Sequence, residues 1–375
     1  MSAQEFKSAI VQRGRLLPGI HGLRGIAALA VVLFHLQHIG RVNPPAFFSF
    51  IGRDFGYSVH LFFIVSAFSL MYSTERRTNQ AGWVPEYFLK RFFRIAPLFY
   101  LIIGFELTRQ FMFGGIRVDP VNIFMNITFT FGFVPFSGFV WGGWSVGVEM
   151  IFYVVFPVVL LLVKSHRSAL WLLFFMIVTS SAMRIGLHEQ YLTMVPRPRW
   201  DWSYFAFVSN MCFFGMGIYV YRVSQMFGDR HSLIRVWVPL VTLSIISGLL
   251  FFDLGRLFAG SGRLDIIIWG MGLSALCLWQ SVLPSAVIAN KFFEHMGERS
   301  FSIYLLHPIV IATSLPLIAK AYNTTSLYIG SYAYFVCMVL VVTAVLVCAE
   351  FTYRFVEVPG INLGRKLISR RKTYG

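Results

Sequence analysis

Charged residues are scarce. Asp, Glu, Lys and Arg make up 13% of the 375 residues, about half the share of an ordinary soluble domain, which excludes a soluble globular chain. Acids are scarcer still, with 16 Asp and Glu against 32 Lys and Arg and a formal charge of +16. There are four cysteines, Cys212, Cys277, Cys337 and Cys348, all inside apolar runs and none at metal-ligand spacing. A disulfide scaffold is thereby excluded, and the four read as core residues. No metal-spaced His/Cys/Asp cluster and no Gly-x-Ser-x-Gly elbow occurs, and Phe214-Gly-Met-Gly-Ile lies inside an apolar run rather than after a strand. Neither a metal nor a resident cofactor is expected. What is abundant is apolar: 57% hydrophobic and 17% aromatic residues, with mean hydropathy +0.68. The chain reads as a membrane protein whose basic excess marks loops at an anionic bilayer surface, with no nucleic-acid partner.

At about 20 apolar residues per span the length allows roughly ten spans in one polytopic unit. Apolar segments fall at about 22–40, 56–73, 95–113, 121–135, 145–163, 169–187, 204–221, 236–252, 266–284, 301–319 and 331–353. The first continues past signal-peptide length without a small-residue cleavage site, so it should remain as a span. The weakest is 121–135, which contains Asn122 and Asn126 and runs into a Pro/Gly/Trp-rich stretch, Val134 to Trp144. That composition suits a re-entrant or interfacial segment. If it does not span and the N-terminus is cytoplasmic, the basic residues collect on one side. These are Lys7, Arg13 and Arg15; Arg76, Arg77, Lys90, Arg91 and Arg94; Lys164 and Arg167; Arg222, Arg230 and Arg235; Lys291 and Arg299; and Arg354, Arg365, Lys366, Arg370, Arg371 and Lys372. Letting 121–135 span would invert every later loop against the positive-inside bias. The expectation is an all-α polytopic protein of about ten transmembrane helices plus one short re-entrant or interfacial segment. Both termini would be cytoplasmic, and 361–375 would form a basic surface-anchoring tail.

Ionisable groups inside spans are costly, which makes each a functional candidate. Arg24 and His35 lie eleven residues apart in the first span, three turns plus about 20° and a rise of about 16 Å, so they share one helix face. Arg24 would sit near the cytoplasmic mouth and His35 in the outer half. Glu149, entering from outside in the fifth span, would lie at the depth of His35, where a carboxylate can orient an imidazole. His60 is a third candidate at that level, and Trp144 and Trp141 suit an interfacial belt. Arg91 and Arg94, at i and i+3 before the third span, suit a phosphate or pyrophosphate as well as a membrane anchor. Tyr304 and His307, also i and i+3, would line one face about two turns in from the cytoplasm, although a His before Pro308 can simply bond backbone freed by a kink.

Taken together these blocks resemble the membrane acyltransferase family 3, integral-membrane O-acyltransferases of bacterial surface glycans and related acceptors. Leu17-Pro-Gly-Ile-His-Gly-Leu-Arg24 with His35 is similar to its Arg-x10-His signature, and His60-Leu-Phe-Phe-Ile-Val-Ser66-Ala-Phe to its second-span Phe-Phe-x-x-Ser-Gly-Phe pattern. Arg91-Phe-Phe-Arg94 resembles its Arg-x-x-Arg loop, and Trp144-Ser145-Val-Gly-Val-Glu149-Met-Ile-Phe-Tyr153 its Trp-Ser-Leu-x-x-Glu-x-x-Phe-Tyr block. Gly297-x-x-Ser300-x-x-x-Tyr304-x-x-His307-Pro and the block from Glu357 to Arg365 match two later ones. Ala67, Ala96, Gly147 and Met150 depart from the pattern. The resemblance implies that 1–360 is a membrane acyltransferase domain in the inner membrane of a bacterium. Its co-substrate would be acetyl-CoA or another acyl-CoA from the cytoplasm, and its acceptor a sugar hydroxyl of a surface or lipid-linked glycan. Arg91, Arg94, Tyr304 and His307 would bind the acyl-CoA. His35, Arg24 and Glu149 would carry the chemistry, with His35 as general base or acyl carrier, and His60, Ser66, Trp144, Ser145 and Ser300 would contact substrate or support the site. Some family members carry an extracytoplasmic hydrolase-like domain; this chain, stopping at Gly375, is expected to act alone or with a separate partner. The competing reading is a proton-coupled transporter or glycan-intermediate permease in which Arg24, His35 and Glu149 form a relay. A weaker third is a sensor that binds acyl-CoA or lipid without turnover.

Overall fold

The computed structural model describes residues 17–113, 119–134, 137–198, 201–227, 232–252 and 264–374, and of 232–234 and 372–374 the backbone alone. Lys7, Arg13, Arg15, Arg230, the Lys372 side chain and Pro135-Phe136 of the Pro/Gly/Trp stretch therefore lie outside the described residues. Every regular element among the described residues is helical. The principal helices are α1 (Pro18–His38), α2 (Ser58–Thr74), α3 (Trp83–Phe113), α4 (Pro120–Ile127), α5 (Trp144–Leu162), α6 (His166–Thr193) and α7 (Phe207–Ser224). They continue with α8 (Ser232–Phe251), α9 (Asp265–Val282), α10 (Lys291–Glu298), α11 (Ser300–Thr313), α12 (Leu315–Ile329), α13 (Ala333–Thr352) and α14 (Val358–Tyr374).

Among the described residues seven helical stretches are long and apolar enough to cross a membrane: Pro18–His38, Ala46–Arg77, Trp144–Leu162, His166–Thr193, Trp202–Ser224, Asp265–Val282 and Leu315–Arg371. The segment read at 236–252 falls on α8, and that at 301–319 on the 14-residue α11, after which the chain restarts as α12 at Leu315-Pro316. The 95–113 segment is the second half of the 31-residue α3, whose first half carries Lys90, Arg91 and Arg94. The weak segment at 121–135 is no span. It becomes the eight-residue α4, capped by Asp119 on Val121 N at 3.1 Å, and a 3-10 turn at Thr130–Phe133. Asn126 stays buried by donating to Asn122 O (2.7 Å) and Ser137 O (2.8 Å), which ties the turn to the loop that follows.

The core is built by close approach. In α1, Gly19, Gly22 and Gly25 form a stripe on one face. A Cβ at Gly22 would lie 2.1 Å from Ile288 O, and one at Gly25 would lie 2.4 Å from Phe293 O. Small residues at such a seam let backbones touch where no hydrophobic force holds helices together in lipid. This internal use of a glycine stripe was not legible beforehand, because its partner is a loop and short helix far along the chain, at Ile288 and Phe293. The Gly22→Val variant is expected to lose about 1–3 kcal/mol through overpacking. Its melting temperature in detergent should fall, whereas Gly104→Ala, with open space around it, should melt no lower than the parent. Three of the four cysteines are core residues, but Cys348 is exposed, a correction that follows from α13 packing on one side only.

Candidate active site

Helix α11 is the spine of the site. The Arg24 Nε donates to Ser300 Oγ (3.3 Å) in its first turn, and two turns on His307 Nε2 lies 3.0 Å from His35 Nδ1. The face that Arg24 and His35 share is thus the face α1 turns to α11. His35 Nδ1 is also 3.0 Å from Val31 O. A carbonyl oxygen can only accept, so Nδ1 of His35 carries the proton, and His307 Nε2 is the second acceptor beside it. In a neutral imidazole this leaves the His35 Nε2 lone pair unprotonated. No described protein group is hydrogen-bonded to that nitrogen.

Glu149 sits elsewhere. Its Oε1 accepts from Ser66 Oγ at 2.6 Å and from Tyr153 OH at 2.5 Å, and the two hydroxyls are 3.1 Å apart. With Arg24, Ser145, Ser300 and Tyr304 it lines a cavity of about 40 Å³. The expected His35–Glu149 pair at one depth is therefore corrected: Glu149 lies at the level of Arg24, and no hydrogen bond joins it to His35. The reason is the start of α5. Ser137, Val140 and Gly143 before it are buried, and Tyr304 OH donates to Gly142 O at 3.0 Å while accepting from Ser145 Oγ at 2.8 Å. Tyr304 thus holds the start of α5, and the helix sets Glu149 against Ser66 of α2 and in the cavity of Arg24 rather than against His35. Gly147, a departure from the family pattern, leaves room for Phe131, whose ring a Cβ there would approach to 2.5 Å.

Below this cavity lie the arginines of α3. Arg91 rests over the rings of Tyr153 (5.9 Å) and Tyr87 (6.0 Å), at the limit of cation–π range, and its Nε is buried without a hydrogen-bond partner. Arg91 and Arg94 both lie close enough to Arg24 for their charges to act on it. Lys90, by contrast, is taken by Glu86 at 2.5 Å. The α3–α14 contact fixes this turn, since a Cβ at Gly360 would meet Pro97 Cγ at 2.6 Å and one at Gly364 would meet Phe93 Cβ at 2.8 Å. Between α13 and α14 the chain makes a π-helical turn, Tyr353–Glu357, a feature frequent at functional sites. It delivers the fully buried Glu357 to Ser302 Oγ and into the field of Arg94 and Arg24.

Tyr304 and His307 do not join this arginine group. Tyr304 walls the cavity, and its ring lies 5.7 Å from that of His307, which is spent on His35. His60 is also apart: it is fully buried against Phe213 (4.3 Å between rings), with Nδ1 3.2 Å from Tyr57 O. Trp144 packs on Phe205 and Tyr204, with ring centroids 5.2 and 5.3 Å apart, and is half-buried, whereas Trp141 is exposed. Sequence reasoning passed over Arg184, which is fully buried in α6 and donates from Nη2 to Ser209 O at 2.5 Å. It was detectable as an arginine inside an apolar run. A larger cavity, about 330 Å³, opens between α6 and the start of α7 among Met183, Tyr191, Trp202 and Phe207, and holds none of these ionisable groups.

A multi-helix membrane chain with a cationic end, a buried carboxylate cell and an imidazole pair along one spine is the setting for group transfer, and the sequence comparisons agree. The chain belongs to the acyltransferase-domain family of the acyltransferase 3 type, whose pattern covers residues 17–350, and is a multi-pass membrane protein. It is similar to the peptidoglycan O-acetyltransferase OatA of Listeria monocytogenes serovar 1/2a, at 24% identity over 92% of this chain and 56% of the relative. It is likewise similar to the O-acetyltransferase OatA of Staphylococcus aureus (strain NCTC 8325 / PS 47), at 25% identity over 92% of this chain and 57% of the relative. A relative from Staphylococcus aureus (strain MRSA252) is 23% identical over 96% of this chain and 60% of its own length. The chain thus spans about 60% of the length of the curated relatives it matches. No solved structure matches it at a significant level.

Proposed function

We propose that the chain is a transmembrane O-acetyltransferase, moving an acetyl group from cytoplasmic acetyl-CoA to a sugar hydroxyl of a surface or lipid-linked glycan outside the inner membrane of a bacterium. The observation that carries this reading is the His35 tautomer: Nδ1–H is committed to Val31 O, and Nε2 stands free as a general base for a hydroxyl. The arginine end faces the cytoplasm, as the positive-inside bias requires, with both termini on that side. Arg91 and Arg94 bind the donor's phosphates, for which guanidiniums are suited in charge and geometry. Arg24, reaching from the same cavity as Glu149, stabilises the negative charge that grows on the thioester carbonyl oxygen. Tyr304 and His307 serve the transfer path rather than the donor's phosphates.

The permease alternative needs a proton relay through Arg24, His35 and Glu149. The partners of His35 and Glu149 lie in separate hydrogen-bond groups, and the family is one of acyl transfer. The test is mass spectrometry of surface polysaccharide from cells with and without the chain. An ester-labile increment of one acetyl unit is expected only where the chain is present; its absence from every surface glycan would sink the proposal. The same assay with purified chain and glycan alone separates direct transfer from transfer through a separate extracytoplasmic partner.

A further inference from the structure

Ser66 is the least conspicuous member of the cavity and the best placed for covalent chemistry. It lies on α2, is 7% exposed, and opens on the 40 Å³ cavity together with Arg24, Glu149 and Tyr304. Its hydroxyl donates to Glu149 Oε1 at 2.6 Å, and Tyr153 OH donates to the same oxygen at 2.5 Å. Both hydroxyls thus converge on one oxygen of the Glu149 side chain, and the Arg24 guanidinium lines the same cavity. A serine proton resting on a carboxylate, with a guanidinium beside the cavity, has the nucleophile, base and charge stabiliser of covalent acyl transfer. The volume fits the cargo. A cavity of about 150 Å³ accommodates a benzene ring, so one of about 40 Å³ suits a group of a few heavy atoms. An acetyl group is of that size and a fatty acyl chain is not.

We propose that Ser66 carries the acetyl group as an ester between donor and acceptor. This rests on the acetyl-CoA reading above. In the first half-reaction Ser66 Oγ bonds to the thioester carbonyl carbon and the carbon–sulfur bond breaks. The serine proton passes to Glu149 and from it to the departing sulfur, so CoA leaves as the free thiol and Glu149 is again a carboxylate. In the second half, the acceptor hydroxyl oxygen bonds to the same carbon, the bond to Ser66 Oγ breaks, and the acceptor's proton ends on Oγ. Tyr304 stands at the hand-over: it lines the cavity, and its ring is 5.7 Å from that of His307, which pairs with His35.

The experiment uses inverted membrane vesicles from expressing cells, which hold the native glycan, supplied with isotopically labelled acetyl-CoA and quenched in acid. The expected result is label on the peptide containing Ser66, stable to neutral hydroxylamine and released by alkaline hydroxylamine as an oxygen ester is, together with labelled glycan. Ser66→Ala should lose both, and Glu149→Gln should slow the labelling at least 10²-fold, as for loss of a general base. Ser66→Cys, which keeps the shape, should trap the label as a thioester, so a folding defect in the alanine variant does not decide the matter. Glycan labelled at the parent rate by Ser66→Ala, or labelled by the parent without a Ser66 ester during turnover, would overturn the carrier alone. Vesicles that label neither glycan nor protein would overturn the acetyl-CoA reading, and this inference with it.

Discussion

Replacing His35 with alanine is expected to reduce glycan acetylation about 10²–10⁴-fold, the usual contribution of a positioned general base, with no loss of membrane insertion. The argument is one of proton placement. Val31 O fixes the proton on Nδ1, so Nε2 presents its lone pair without a prior tautomer change. His35→Gln retains a polar group of similar reach but no titratable nitrogen, and is expected to be as inactive as the alanine variant. His307→Ala should be milder, about tenfold, because His307 holds the imidazole from the side rather than meeting the hydroxyl. These three values are read from initial rates of acetyl incorporation into glycan at matched expression. Full activity in His35→Ala would remove the histidine from the chemistry.

The second large effect is expected at the donor end. Charge-assisted hydrogen bonds are worth about 1.5–3 kcal/mol each, so the double variant Arg91→Ala, Arg94→Ala should raise the Michaelis constant for acetyl-CoA by about 10² or more. The rate at saturating donor should change much less. In the parent, raising ionic strength should weaken donor binding, since the site meets a polyanion at a half-exposed surface; in the double variant that dependence should flatten. Arg91→Lys, Arg94→Lys should recover only part of the affinity, because an ammonium lacks the paired donors of a guanidinium. If donor affinity is unchanged in the alanine double variant, the two residues are membrane anchors and nothing more. Lys90 is the internal comparison: already bound to Glu86, it should tolerate replacement by alanine with little change in donor affinity.

Three residues show where sequence and structure part company. Glu149 was legible as an intramembrane acid, and its partners were not, because they lie on α2 and α1 and are set by how the start of α5 is held by Tyr304. Tyr304 and His307 were legible as one helix face, but the face could be assigned to either end of the protein. Only the packing of α11 against α1 turns it toward His35 and away from the arginines.

What the sequence determined by itself is everything that depends on neighbours along the chain. The cost of placing a polar group in hydrocarbon is local, so apolar length marks out membrane helices, the weak 121–135 segment disqualifies itself, and the stray Arg24, His35, His60 and Glu149 stand out as candidates. What the tertiary structure decided is which candidates meet. The Ser66–Glu149–Tyr153 group joins α2 to α5, and the His35–His307 pair joins α1 to α11 across 272 residues. The seat of Glu357 depends on a π-turn near the end of the chain. Such meetings are set by the rotation and depth of each helix against the others. In lipid these follow from close packing at small residues such as Gly22 rather than from any periodic signal in the chain.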